Sequence, residues 1–150
     1  MTDPFPIEVL RLVASDLRPD FVGLGVVFYT DLNRLPFLQL AADLPLPMLP
    51  VVGGRDIARH LVEMSRSCSR WHDGFHFVDR EKKCLTHLAQ FVSPPLPKAG
   101  GFVPPLTGAR LMAAALATLV EGISHVGIIS SRCELLLFSG GQCVLSENVA

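Results

Sequence analysis

The chain has 150 residues, 49% of them hydrophobic and 18% charged, with 13 basic residues against 14 acidic ones for a formal net charge of -1. At this length one compact domain hides about 70% of the surface its unfolded chain exposes, so residues 1–150 are read as a single globular domain and disorder is excluded. Charges of both signs are spread without long runs, which excludes the broad basic footprint of a duplex nucleic-acid binder or of a protein drawn to an anionic membrane.

The mean hydropathy is positive, at +0.40, yet no stretch approaches the roughly 20 apolar residues of a spanning helix. The longest candidate, Leu111 to Val120, is interrupted by Thr118 and bounded by Arg110 and Glu121. Met1 to Pro6 lacks the basic start and apolar run of a secretory signal, so the expectation is a cytoplasmic protein with no membrane partner. Cys68, Cys84, Cys133 and Cys143 form no Cys-x-x-Cys pair and are read as free thiols.

In chain order, Ile7, Leu10, Val13, Ala14 and Leu17 recur at helical spacing behind Pro6, predicting a helix from about Phe5 to Leu17. Gly23 to Tyr29 is short, β-branched and aromatic, as in a strand buried on both faces, and its two glycines predict close approach of other groups to the backbone. A short strand near Pro36 to Leu40 follows, then a segment, Asp43 to Pro50, whose three prolines forbid helix or central strand. Ile57, Ala58, Leu61, Val62 and Met64 among charged residues predict an amphipathic helix from Gly54 to about Cys68.

Phe75, Phe77 and Val78 read as a strand, Asp79 to Lys82 as a polar hairpin turn and Cys84 to Val92 as the returning strand. Ser93 to Pro105 carries five prolines and two glycines and is read as a loop. Thr107 is expected to cap an alanine-rich helix ending near Glu121, apolar on nearly every side and so expected in the middle of the fold. His125 to Ser130, Cys133 to Phe138 and Gln142 to Leu145 close the chain as three strands. The order predicts an α+β domain, a mixed twisted sheet of about seven strands packed by helices.

Three spots at the edges of these elements could carry chemistry. Trp71-His72-Asp73-Gly74 precedes a strand, Thr107-Gly108-Ala109-Arg110 opens a helix, and Ser130-Ser131-Arg132 ends a strand. A helix N-terminus attracts anions, Gly108 lets a phosphate come close and Arg110 adds a charged donor. The Asp73 carboxylate can accept a hydrogen bond from a ribose hydroxyl or bind a hard cation. Read alone, each spot is a common structural device: an Asp-Gly turn, a capped helix start, a hairpin turn. Strand alternation from Gly74 would separate Asp73 from His72 and His76, which argues against a metal site there. No P-loop, Gly-x-Gly-x-x-Gly, nucleophile elbow or His-Glu-x-x-His is present.

The combination and order of the first two spots resemble the diadenylate cyclase domains, as in the DNA-integrity scanning protein and the membrane-bound cyclases. There a helix leads into a Leu-His-Asp-Gly-Ala strand, then a proline-containing loop, then Gly-Thr-Arg-His-Arg-Ala-Ala opening a helix. Here the chain reads Trp71-His72-Asp73-Gly74-Phe75, the loop from Ser93 to Pro105, and Gly108-Ala109-Arg110-Leu111-Met112-Ala113-Ala114. The Gly54 to Cys68 helix fits the family's order. Val126 to Ser130 is similar to the family's Ile-Val-Val-Ser-Glu-Glu strand, and Gly23 to Phe28 to its Gly-Ala-Leu-Ile-Val strand. The resemblance spans about residues 8 to 145.

It implies that Asp73 serves a ribose and, in an active enzyme, the metal, and that Arg110 meets phosphate. Leu111 and Met112 depart from the family's Arg-His-Arg triplet, and Ser131 and Arg132 stand where it has glutamates. Losing one arginine at a phosphoryl transition state can cost about 10³ to 10⁵ in rate, whereas one charge-assisted hydrogen bond in binding is worth about 1.5–3 kcal/mol. The expectation is therefore a catalytically inactive, diadenylate-cyclase-like sensor or regulatory domain that binds an ATP-like nucleotide or cyclic dinucleotide. Its ligand-binding set would be Gly23, His72, Asp73, Gly74, Thr107, Gly108, Ala109, Arg110, Ser130, Ser131 and Arg132, and its partner an effector domain or protein, as in divergent members that serve bacterial defence and signalling. One alternative is an active cyclase making cyclic di-AMP from two ATP across a symmetric homodimer, with Mg²⁺ or Mn²⁺ and Asp73 as the catalytic and metal residue. The other is an interaction module that has lost its ligand, favoured by the apolar Leu111–Met112 pair.

Overall fold

A computed structural model describes residues 3–40, 48–98 and 108–150. Its centre is β1 (Leu24–Tyr29), buried along its whole length as the unbroken apolar run requires. β4 (Phe75–Asp79) lies parallel to it on one side and β6 (Ile123–Ile129) antiparallel on the other. Around this trio the sheet continues in the order β2 (Phe37–Gln39), β5 (Cys84–Val92), β4, β1, β6, β7 (Glu134–Ser139), β8 (Gln142–Asn148), and β3 (Val51–Val52) pairs with the start of β5. The result is a mixed α+β domain with eight strands and three helices among the described residues.

Helices cover both faces. α1 (Phe5–Ala14) buries Phe5, Val9, Leu10 and Val13 at helical spacing, and α2 (Gly54–Met64) buries Ile57, Ala58, Leu61 and Val62. Together they cover one face, on Leu24, Val26, Phe28, Val78, Leu85, Ile129, Leu135 and Leu137. Gly127 of β6 lets α1 come close, since a Cβ there would lie 2.3 Å from Leu10 Cδ1. α3 (Ala109–Ala117) covers the opposite face, where Ala114, Ala115 and Ala117 meet Val27, Phe77, Val126, Ile128 and Phe138. Each fully buried side chain of this size contributes about 1.5–3 kcal/mol of transfer free energy, so the two cores define the fold.

Several expectations are corrected. α1 stops at Ala14 instead of near Leu17 because the Ser15 hydroxyl donates back to the Leu12 carbonyl at 2.7 Å. α2 stops at Met64 instead of near Cys68, where buried Ser65 donates to the Val62 carbonyl at 2.9 Å. α3 ends at Ala117 instead of Glu121: the Thr118 hydroxyl donates to the Ala115 carbonyl and accepts the Gly141 N–H at 2.8 Å, tying the helix end to the β7–β8 hairpin. The N-cap of α3 is Gly108, at φ +99°, and the expected cap Thr107 lies outside the described residues, as do residues 99–105 of the proline-rich loop. Nor is α3 central, because Ala109 is exposed and Arg110 to Ala113 are only half-buried. β3 was not foreseen, two residues being too short for any periodicity.

β5 departs from regular alternation. Phe75 pairs with Gln90 and Asp79 with Cys84, so the five residues of β4 face seven of β5, with register shifts on either side of Phe77.

Candidate functional site

Three strand ends meet at one edge of the sheet. Because β1 and β4 are parallel, both begin there, and because β6 is antiparallel to β1, with Ile129 opposite Leu24, it ends there. Gly23, the Asp73–Gly74 turn and Ser130 are thereby neighbours along that edge. α3 supplies the fourth component: Arg110 sends its guanidinium to the start of β1, where a Cβ on Gly23 would lie 2.9 Å from Arg110 Nη1. Gly23 is at φ +119°, a conformation open to glycine and strained for other residues. The expected close approach to both glycines of the first strand is present, since the Phe75 ring lies 2.7 Å from the position a Gly25 Cβ would take.

Arg110 is half-buried and takes part in no ion pair within 4 Å among the described residues. Burial lowers its pKa and the Asp73 carboxylate opposes that shift, so the two charges act on each other through the edge. Asp73 itself is 76% exposed, with Oδ1 at 3.4 Å from His72 Nδ1. The alternation argument that separated these two is corrected here, because β4 begins only at Phe75 and Asp73 and Gly74 lie in a bend before it. Gly74, at φ +77°, sits under the Gln90 carbonyl, which would be 2.5 Å from a Cβ at that position.

Among the described residues nothing lies within 4 Å of the position a Gly108 Cβ would take, and no side chain caps the first N–H groups of α3. These donors, with Arg110, make the helix start an anion-attracting end. Ser130 is largely consumed by its turn: its N–H donates to the Glu134 carbonyl at 2.9 Å and its hydroxyl accepts the Glu134 N–H at 3.2 Å. Ser131 and Arg132 are exposed on that turn. Leu111 packs against the α3-side core, and Leu111 and Met112 are both half-buried, so neither forms an exposed apolar patch.

No three His, Cys, Asp or Glu side chains converge as a cation site among the described residues. A divalent ion at this edge would rest on Asp73 and on oxygens that a ligand brings, the usual arrangement for Mg²⁺ with phosphates.

Two buried polar groups at the edge have roles not read from the sequence, where His76 is weighed only as a metal ligand. His76 is 1% exposed, and its Nδ1 accepts the Ala89 N–H at 3.1 Å. Gln90 is also buried, and its amide donates to Gln39 Oε1 at 2.6 Å and to the Leu88 carbonyl at 2.8 Å. A polar residue in each of two apolar strands was the available signal.

No protein-family model matches the chain, and no curated protein matches it. Solved structures do. The hypothetical membrane spanning protein from Bacillus cereus superposes with a TM-score of 0.57 at 17% identity, covering 92% of this chain and 59% of that one. DacA from Staphylococcus aureus, solved as a double mutant, superposes with a TM-score of 0.55 at 16% identity, covering 93% of this chain and 83% of that one. The fold is diadenylate-cyclase-like. The chain thus spans about three-fifths of the Bacillus chain's length. Among the described residues no helix is long and apolar enough to cross a membrane.

Proposed function

We propose that this diadenylate-cyclase-like domain binds a nucleotide as a sensor or regulatory module and carries out no cyclase chemistry. The observation that carries this reading is Arg110. Among the described residues its guanidinium, against Gly23, has no ion-pair partner and no side chain caps the start of α3 where it sits, within electrostatic reach of Asp73. A phosphate at the helix start would accept from Arg110 and from backbone N–H groups, and a ribose hydroxyl would donate to Asp73. Cyclisation asks for more, namely a clamp that stabilises departing pyrophosphate. The next two side chains of the helix, Leu111 and Met112, offer it no charge.

Leu111 and Met112 are half-buried, so they supply neither the exposed apolar surface that would mark a partner site nor the full burial of a collapsed pocket. The test is thermal unfolding of the protein against ATP, ADP, AMP, cyclic dinucleotides, NAD and ADP-ribose, with and without Mg²⁺ or Mn²⁺, followed by chromatography of the ATP samples. A ligand at 100 times its dissociation constant stabilises the fold by about 2.7 kcal/mol. Stabilisation without new product is expected, and Arg110→Ala should weaken binding by about 10- to 150-fold, the equivalent of one charge-assisted contact. Formation of a cyclic dinucleotide would overturn the noncatalytic reading, and no stabilisation by any nucleotide would overturn nucleotide binding.

A further inference from the structure

The β4–β5 ladder is distorted beside the Asp73–Gly74 turn. Phe75 pairs with Gln90 and Phe77 with His87, so Leu88 and Ala89 together stand opposite His76. Ala89 is at φ +53°, the left-handed region, where a residue with a Cβ is strained. The Ala89 N–H turns inward to the Nδ1 of His76, a side chain that is itself buried. An amide that donates to Nδ1 requires the neutral ring with its proton on Nε2. The next residue, Gln90, brings its carbonyl onto Gly74, so closely that only glycine fits beneath it.

From this chain of contacts we infer that His76 is a positioning residue for the nucleotide site: by accepting the Ala89 amide it holds the β5 bulge, the bulge holds the Gln90 carbonyl on Gly74, and that contact fixes the turn carrying Asp73. A methylene or methyl at the Nδ1 position would leave the Ala89 amide buried without an acceptor, and the left-handed bulge would lose its tether. The inference rests on the nucleotide reading only for the part of its test that measures affinity.

The test compares His76→Leu with His76→Asn. Asparagine carries an acceptor oxygen as many bonds from Cβ as Nδ1 is in histidine, and leucine has a similar branched shape without an acceptor. The amide exchange of Ala89, the amide chemical shifts of Asp73 and Gly74, and the ATP dissociation constant are measured for each variant and the wild type. The Leu variant is expected to exchange Ala89 faster, to shift the Asp73 and Gly74 amides and to lose about tenfold or more in ATP affinity, with the Asn variant close to wild type in all three. Folded Leu and Asn variants that behave alike would overturn the inference, as would an undisturbed Asp73–Gly74 turn in the Leu variant. If the Leu variant does not fold, loss of Ala89 protection in the Asn variant would overturn it and its retention would support it. If the wild type binds no ATP, the nucleotide reading fails by itself, and the Ala89 exchange and the Asp73–Gly74 shifts decide the positioning role alone.

Discussion

Replacing Gly23 by alanine tests the contact on which the site is built. Two effects are expected from one methyl group. The backbone at φ +119° strains any residue with a Cβ, which costs about 1–3 kcal/mol of stability. The new Cβ also lies 2.9 Å from Arg110 Nη1, the movable end of a long side chain, so the guanidinium gives way and leaves the start of β1. If the phosphate contact goes with it, about 1.5–3 kcal/mol of binding is lost, a 10- to 150-fold rise in the ATP dissociation constant. Gly53→Ala is the matched control: Gly53 is at φ +96° with nothing among the described residues within 4 Å of the Cβ position, so it adds similar strain away from the site. Urea unfolding should report a similar loss for both variants, and titration calorimetry with ATP should report weakened binding only for Gly23→Ala. Equal ATP affinity in the two variants would refute the role given to the Arg110–Gly23 contact.

Gly127→Ala should destabilise the fold by about 1–3 kcal/mol through overpacking, because its Cβ would meet Leu10 Cδ1 at 2.3 Å. Leu10→Ala alone should cost about 2.7–5 kcal/mol, and the double variant in urea unfolding should cost less than the sum, since the added methyl occupies space that Leu10 vacates. Acid should weaken the protein from about pH 6.5 downward. Burial lowers the pKa of His87 and of His125, and brings His76, with a further push from the Arg110 charge, to about 3. Below the unfolded-state value of about 6.5 the unfolded chain takes up protons that the folded chain refuses, so stability falls as pH falls, by at most about 1.4 kcal/mol per pH unit for each histidine. Urea midpoints between pH 7 and pH 4 should show this slope and should show a shallower one in His76→Asn.

Much of the architecture follows from the sequence by itself. The six-residue apolar run after Gly23 could only be a strand covered on both faces, and helical spacing marked the inward sides of α1 and α2 without reference to any partner. Glycines 23 and 25 announced close contacts because a strand position without a side chain is most useful where something else must come near. What approaches them was not legible: Arg110 is 87 positions from Gly23, and their meeting depends on β6, which follows α3, running antiparallel to β1 and on α3 crossing the opposite face from α1 and α2.

Helical periodicity carries on through Leu17 and to Glu121. α1 stops earlier at a local contact, Ser15 to the Leu12 carbonyl, whereas the end of α3 is also tied through Thr118 to the Gly141 N–H of the β7–β8 hairpin, which only the tertiary structure supplies. Two extra residues in β5 and the left-handed Ala89 were invisible to pattern, and a histidine within an apolar strand marked His76 without showing its partner, since the bulge forms only against the neighbouring strand. Local sequence determines which surfaces must be hidden; where polar groups such as His76, Gln90 and Arg110 end up is decided by which donors and acceptors the completed sheet leaves for them.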